Sequence, residues 1–331
     1  MENKTFKALV IEEQDGKFTR NIKTKDIDSL QPGDVVVKVN YSSLNFKDAL
    51  SSSGNKGVTK NYPHTPGIDA AGIVEDSTSD KLKKGDSVVI TGYDFGMNVN
   101  GGFGQYVRVP AEWPMLLPNG LTPKESMMLG TAGLTAALCL LRLTERVKPT
   151  DGKIAVSGAT GGVGIISIAI LAKLGYDVVA ISGKKEEVEF LKKVGAKEVI
   201  TREEFSVKET RPMLKTRFAG AVDTVGGVIL DNIIKSTNFL GVVTSCGNAA
   251  SPNLDLTVFP FILRGISLVG IDSQNCPKNI REEAWKKLAG DWKLNNLEEL
   301  CVEKGLSELG ECIDDMLASK LKGRVLVNLD K

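Results

Sequence analysis

"KIAVSGATGGVGIISIAILAKLG", residues 153–175, decides the fold. A short apolar run ends in a glycine cluster, and an uninterrupted apolar stretch follows. The first part reads as a buried strand and the last as a helix. In the cluster, Ala159, Gly162 and Gly164 take the tight-turn, close-approach and helix-packing positions of a phosphate loop. Without bulky side chains the backbone can come near a pyrophosphate, whose charge is met by helix N–H groups and the helix dipole. Ala159, Thr160, Gly161, Gly162, Val163 and Gly164 are therefore candidate cofactor-binding residues. The competing reading is a glycine-rich helix entry with no ligand. The strand that returns one crossover later favours the dinucleotide.

Working outward, the alternation continues. "YDVVAIS" reads as a strand, "KKEEVEFLKKVG" as a helix and "KEVIT" as a strand, after which "GAVDTVGG", "FLGVVTSCG" and "GISLVGIDS" supply three more strands. Six short strands with intervening helices predict a doubly wound parallel sheet of order 3-2-1-4-5-6. The first third differs. "FKALVIEE", "VVVKVNYSSLN", "AAGIVEDS", "DSVVITGY" and "GQYVRVP" are Val- and Ile-rich runs separated by "QPGD", "KKGD" and "NGGFG", the pattern of a barrel-like β unit. "TPKESMMLGTAGLTAALCLLRLTERV" opens the second region as a helix, with Thr122 at its cap and Pro123 at its first position. The chain ends on a helix-like "LGECIDDMLASKLKG" and one strand, "RVLVNL". A lone strand after a finished sheet most simply returns to the β unit. The expected domains are 1–122 with 301–331, β-rich, and 123–300, nucleotide-binding.

An NAD site usually places Asp or Glu at the tip of the second strand, where it holds the ribose 2′-OH. Here the tip reads Ser182-Gly183-Lys184-Lys185. A hydroxyl and ammonium groups receive a 2′-phosphate that a carboxylate would repel. Arg202, at the end of the third strand, can close over the adenine or the phosphate. The cofactor expected is NADPH. The plainer reading, lysines solvating a helix start, puts cations at the end of the helix dipole that disfavours them.

Composition narrows the class. The 331 residues carry 42 Lys+Arg against 41 Asp+Glu, which leaves no electrostatic footprint for nucleic acid or a membrane surface. The N-terminal apolar run "ALVI" is too short for a signal peptide, and the apolar window 163–183 is interrupted by Lys173 and Asp177, so a cytoplasmic protein is expected. Five scattered cysteines, an odd number with no Cys-x-x-Cys, read as reduced thiols. His64 is the one histidine, which excludes a His-rich zinc site, and its place in "YPHTPG" suits a structural loop.

This order, β unit first and nucleotide sheet second, resembles the medium-chain dehydrogenase/reductase superfamily, whose first domain is GroES-like and whose second is a Rossmann domain. The resemblance covers essentially the whole chain. Its zinc-dependent members carry a Cys and a Gly-His-Glu as ligands; here Asn45 in "SSLNFKDAL" and Ile68 in "PGIDAAG" stand at those places. An amide and an alkyl group make a poor ligand set, so a zinc-free protein is expected. More closely, "SSLNFKDAL", "PGIDAAG", "GTAGLTAAL", "SGATGGVG", "LKKVGAKEVITRE", "VDTVGG", "SCGN", "GIDS" and "KGRVLV" look like the YhdH/YhfP branch of quinone oxidoreductases and acrylyl-CoA reductases. The resemblance implies that Phe46, Cys246, Gly247, Ile271, Asp272 and Arg324 also serve the cofactor. It implies too that Asn45 and its neighbours flank the nicotinamide, and that the protein is a homodimer joined along the sixth strand.

Reduction of an activated C=C suits such a site: an enolate oxygen needs only hydrogen bonds. Asn45 could donate its amide to that oxygen and Thr131 could contact the nicotinamide or the oxygen from a helix turn; the plainer readings are Asn45 as a turn cap and Thr131 as helix packing. Tyr41, Tyr93 and Tyr106 are candidate proton donors beside solvent. Three functions stay open: an NADPH-dependent reductase of a small α,β-unsaturated carbonyl or thioester, an NADPH:quinone oxidoreductase, and a non-enzymatic NADPH-binding sensor. A CoA thioester would need phosphate-binding cations, for which Arg264 or Arg324 is the candidate.

Overall fold

The computed structural model describes residues 4–331. The chain divides into two compact units. One holds the residues up to Thr131, Gln274–Cys276 and Asn296–Lys331; the other holds Ala132–Ser273 and Pro277–Asn295. In chain order the elements are β1 (Thr5–Gln14), β2 (Lys17–Asp26), β3 (Val35–Leu44), α1 (Phe46–Ser52), β4 (Asp69–Ser77), β5 (Ser87–Thr91), β6 (Tyr106–Val109), β7 (Met115–Leu116) and α2 (Pro123–Thr144). Then come β8 (Ile154–Ser157), α3 (Gly162–Lys173), β9 (Val178–Ser182), α4 (Val188–Val194), β10 (Ala196–Thr201), α5 (Arg202–Phe205), β11 (Phe218–Asp223), α6 (Gly227–Lys235), β12 (Thr237–Ser245), α7 (Phe259–Arg264) and β13 (Ser267–Gly270). The last are α8 (Lys278–Ala289), β14 (Cys301–Gly305), α9 (Leu309–Leu317) and β15 (Arg324–Asn328).

The first unit is built on a seven-stranded sheet, ordered β14-β15-β3-β4-β5-β7 with β6 also on β3, beside a β1-β2 hairpin. In β3 the residues Val35, Val37 and Val39 are fully buried while Lys38 is exposed, the two-residue period of a half-buried strand. They pack with Leu44, Ile90, Phe95 and Phe103. The final strand returns to this unit: β15 pairs antiparallel with β3, Val325 opposite Leu44, and parallel with β14.

The second unit is the doubly wound sheet, all parallel and ordered β10-β9-β8-β11-β12-β13, which is 3-2-1-4-5-6 in its own numbering. Helix α3 is buried continuously from Gly164 to Leu171, as its unbroken apolar sequence requires. Helix α2 is long and apolar enough to cross a membrane by length and composition, yet 78% of that stretch is buried inside the protein. It is also two helical pieces, broken at Gly130 (φ 54°, ψ −154°). The units part beside this break, at Thr131/Ala132, because Thr131 is hydrogen-bonded back to Asp69 in the first unit.

Candidate active site

In the second unit the candidate cofactor residues gather at the carboxyl ends of the strands, where open α/β sheets bind ligands. After Ser157 the loop turns through Gly158, with Gly161 N donating to Gly158 O at 2.9 Å. Ala159 and Thr160 are buried, and Gly161, exposed, caps α3 with no side-chain bond to the first turn. The leading N–H groups of α3, at Gly162, Val163 and Gly164, are thus left to a ligand or solvent. Gly164 is dictated by packing: a Cβ there would lie 2.9 Å from Ala159 Cα.

A buried carboxylate holds this loop. Asp223, at the end of β11, accepts from Ser157 Oγ at 2.6 Å and from Gly226 N at 2.9 Å. Thr224 answers by donating from N to Ser157 Oγ and from Oγ1 to Ser157 O, both at 3.0 Å. Burial pushes the Asp223 carboxyl up, against these donors. The next strand tip is fastened to the same place, with Cys246 N donating to Asp223 O at 3.0 Å. Gly247 follows, packed on Thr224. Ile271 N donates to Ser245 O at 2.9 Å, and exposed Asp272 comes next.

At the β9 tip, Ser182 is buried with its hydroxyl accepting from Lys184 N at 3.1 Å. Gly183 is exposed, and the Arg202 guanidinium lies over it: a Cβ on Gly183 would fall 2.8 Å from Arg202 Cζ. The second and third strand tips therefore join Ser182, Gly183, Lys184 and Arg202 in one cationic corner with no carboxylate at the ribose position.

The other candidates lie in the first unit, in a polar cluster with almost no solvent contact. Asp69, fully buried at the start of β4, accepts from Ser43 Oγ (2.5 Å), Asn45 Nδ2 (2.7 Å), Thr131 N (2.9 Å) and Thr131 Oγ1 (2.6 Å). Asp48 reaches back from α1 to Asn45 N at 2.8 Å and takes Ile68 N at 2.8 Å. Burial first, then the neighbouring Asp69 charge, pushes the Asp48 carboxyl up to about 7. One cation answers both acids. Arg324, on β15 and 3% exposed, donates to Met128 O, Leu44 O, Asn45 Oδ1 and Ser43 Oγ, with Nη2 3.9 Å from Asp69. The break at Gly130 makes room for it, since a Cβ there would lie 2.8 Å from Arg324 Nη2. Phe46, beside this cluster in sequence, is 52% exposed.

Two expectations change. Arg324 does not offer its charge to a cofactor or a CoA phosphate; its donors are used inside the fold, because β15 inserts beside β3. Arg264 is likewise used, donating to the carbonyls of Lys235, Thr237 and Leu214. Asn45 is 9% exposed, and its amide is engaged on both sides: besides Asp69 its nitrogen reaches Ser43 O at 3.2 Å and Asp48 at 3.3 Å. His64 is a core residue, its Nε2 3.0 Å from Gly96 O. Of the tyrosines, Tyr106 is buried against Phe6, Tyr93 stacks on Trp113 at 5.3 Å, and Tyr41 lies half-buried on β3. Sequence reasoning passed over Asp48, Asp69 and Ser43. The signal that was available is their place in "SSLNFKDAL" and "PGIDAAG", the same motifs that carried Asn45 and Ile68.

Residues 31–119 match the family described as alcohol dehydrogenase GroES-like domain, and residues 162–290 match the zinc-binding dehydrogenase family. "Probable acrylyl-CoA reductase AcuI" of Escherichia coli K12 is 41% identical over 326 residues, 98% of this chain and 100% of its own length. "Putative quinone oxidoreductase YhfP" of Bacillus subtilis is 39% identical over 98% of this chain and 99% of its own. The crystal structure of YhfP with NAD bound superposes with a TM-score of 0.96, covering 98% of this chain and 100% of that one. The structure of E. coli K-12 YhdH with bound NADPH, 42% identical, gives 0.94 over 97% and 99%. The zinc in the second family's description can be tested on the donor set. A zinc ion needs three or four N, S or O ligands at roughly 2.0–2.3 Å. Position 68 is a buried isoleucine, the Asn45 amide is engaged, and the Asp69 oxygens are filled by four donors with a fixed guanidinium nearby. Among the described residues no group of three His, Cys, Asp or Glu is placed to hold a metal. These residues do not fit zinc.

Proposed function

Since the chain belongs to the medium-chain dehydrogenase/reductase superfamily, in its YhdH/YhfP branch, we propose that it is an NADPH-dependent reductase of the activated C=C in a small α,β-unsaturated carbonyl compound or thioester. Support for the cofactor comes from the phosphate loop, the α3 N-terminus, and the corner of Ser182, Lys184 and Arg202, which suits a 2′-phosphate. YhdH binds NADPH and YhfP binds NAD in their structures. The cations at this chain's β9 tip favour the phosphorylated form. When bound, NADPH supplies the hydride.

The observation that carries the chemistry is the Arg324–Asn45–Asp69 cluster. Addition at the β-carbon drives negative charge onto the conjugated oxygen, which needs hydrogen-bond donors fixed in advance. Arg324 donates to Asn45 Oδ1 and so polarises the amide, making Nδ2 a stronger donor. One Nδ2 hydrogen is held by Asp69 at 2.7 Å; the other, divided among longer contacts of 3.2 and 3.3 Å, is the one a substrate oxygen takes. Asp69 also fixes the Thr131 hydroxyl. With Tyr106 buried and Tyr93 stacked, solvent returns the proton to the α-carbon.

The test is steady-state NADPH oxidation against a panel of enoyl-CoAs, enones and quinones, with deuterium carried from the cofactor. Label at the β-carbon is expected, and Asn45→Ala should lower turnover by about 10²–10³-fold with little change in NADPH affinity. Label on a carbinol carbon would overturn the reading. The similarity to YhfP favours a second reading, quinone reduction, and consumption of quinones without any C=C substrate would establish it instead.

We also propose a cytoplasmic homodimer. None of the five cysteines is in a disulfide, which suits a reducing compartment. Edge strand β13 is flanked by exposed Phe239, Leu240, Val258, Ile262 and Leu263, an apolar surface suited to a second copy.

A further inference from the structure

Two consecutive serines near the end of β3, Ser42 and Ser43, are fully buried. Serine is mostly an exposed residue, and a buried hydroxyl must find a partner. Both find the same one. Ser42 Oγ donates to Asp69 O at 2.7 Å, which holds the backbone of that residue. Ser43 Oγ lies 2.5 Å from its carboxylate.

Ser43 stands between opposite charges. The Arg324 and Asp69 side chains are 3% and 0% exposed. A guanidinium and a carboxylate that are free to meet do so through hydrogen bonds of about 2.7–2.9 Å. Here the approach of Nη2 to Oδ2 stops at 3.9 Å. Ser43 Oγ fills the gap, 2.8 Å from Nη2 and 2.5 Å from Oδ2. The guanidinium offers only donors and the carboxylate only acceptors. The hydroxyl therefore accepts from Arg324 and donates to Asp69, and its direction is fixed. Gly130 closes the space beside it: a Cβ there would strike Ser43 Oγ, Asp69 Oδ2 and Arg324 Nη2 together.

This spacing decides what else the two charges reach. Arg324 keeps Nη1 on Asn45 Oδ1 at 3.2 Å, and Asp69 keeps Oδ2 on Asn45 Nδ2 at 2.7 Å. The amide is gripped at both ends, oxygen toward the cation and nitrogen toward the anion, which disfavours the flipped orientation. Direct contact between the charges would draw the guanidinium roughly 1 Å toward Asp69. The contact to Asn45 Oδ1 would then break, and Oδ2 would be shared between the amide and a stronger donor.

We propose that Ser43 is a positioning residue for the reduction: its hydroxyl holds Arg324 and Asp69 apart so that both grip the Asn45 amide. The inference rests on the reading of Asn45 as donor to the substrate oxygen. Fully buried, Ser43 acts through that amide.

Ser43→Ala tests it, by crystal structure and by turnover of acrylyl-CoA and but-3-en-2-one with NADPH, beside Asn45→Ala and the double variant. In the Ser43→Ala structure Arg324 Nη2 should close on Asp69 Oδ2 to within about 3.2 Å and leave Asn45 Oδ1. Turnover should fall about 10–100-fold, the scale of misplacing a group by an ångström. KM and the dissociation constant for NADPH should stay within about twofold, since the loss falls on the transition state. The double variant should be within about twofold of Asn45→Ala alone, because the effect passes through the amide. Where Ser43→Ala does not fold, Ser43→Cys, a weak donor of similar shape, goes through the same measurements. A guanidinium that stays at 3.9 Å, with or without a water in the vacated space, overturns the proposal. So does full turnover in Ser43→Ala, or losses that multiply in the double variant; both leave the reading of Asn45 intact. A parent chain inactive on both substrates, or full turnover in Asn45→Ala, defeats the functional reading first and this role with it.

Discussion

Arg324→Met separates a structural cation from a phosphate-binding one. Arg324 is 3% exposed and makes four hydrogen bonds, to Met128 O (3.1 Å), Leu44 O (3.3 Å), Asn45 Oδ1 (3.2 Å) and Ser43 Oγ (2.8 Å). It is also the cation nearest the buried Asp69, at 3.9 Å. Methionine fills much of the volume but leaves these buried acceptors without a donor and the carboxylates Asp48 and Asp69 without a counter-charge. Removing one partner from a buried ion pair costs about 3–5 kcal/mol. That is a large part of the roughly 5–15 kcal/mol that holds a typical protein folded. Urea unfolding followed by circular dichroism should show a loss of that size in the first unit. Arg324→Lys, which keeps the charge but not the planar fork, should fall between the two. If Arg324→Met folds, turnover drops because Asn45 is released, while the dissociation constant for NADPH stays within about twofold, because the phosphate loop and the β9 tip keep all their own contacts. A stability change below about 1 kcal/mol together with a tenfold loss of NADPH affinity would refute this account and return Arg324 to the cofactor.

The cationic corner at the β9 tip should favour NADPH over NADH by about 1.5–3 kcal/mol, the scale of a charge-assisted hydrogen bond. Fluorescence titration giving equal constants for the two would sink that reading, and Lys184→Glu should weaken NADPH alone. The Asp48 carboxyl, held up at about 7, keeps its proton in the folded state after the unfolded chain has lost it near pH 4. Its contribution to stability is therefore complete below about pH 4 and is lost as pH rises through about 7. Melting curves between pH 5 and 8 should fall more steeply for the parent than for Asp48→Asn; parallel curves would contradict the shift. Light scattering should give about twice the 35.6 kDa chain mass, and Ile262→Lys should shift it toward the monomer. A monomeric parent at working concentration would count against the β13 interface.

The Rossmann order was legible because each of its signals is local. The glycine turn at 158–164, the apolar helix behind it and the short Val- and Ile-rich strands each announce themselves within a dozen residues. The cationic corner was partly legible for the same reason, since Ser182, Gly183 and Lys184 are neighbours. Strand β2, "KFTRNIKTKD", gave no such signal: it is polar and mostly exposed, and becomes a strand only because β1 is there to pair with it. The short α5 and β14 were missed too, having too few residues to show a period of their own.

The polar cluster shows the limit most clearly. Asn45 and Arg324 are 279 positions apart and meet only because β15 lies against β3. From sequence, Arg324 is one more cation in "KGRVLV", and cations are by default at the surface, where a phosphate can find them. Whether it is a surface ligand or an internal counter-ion depends on what surrounds it once the strand has inserted. Burial and neighbouring charge are properties of the assembled fold. Periodicity along a chain reports which face of a strand is apolar, but not that Ser43, Asn45, Asp48, Asp69, Thr131 and Met128 will converge around one guanidinium.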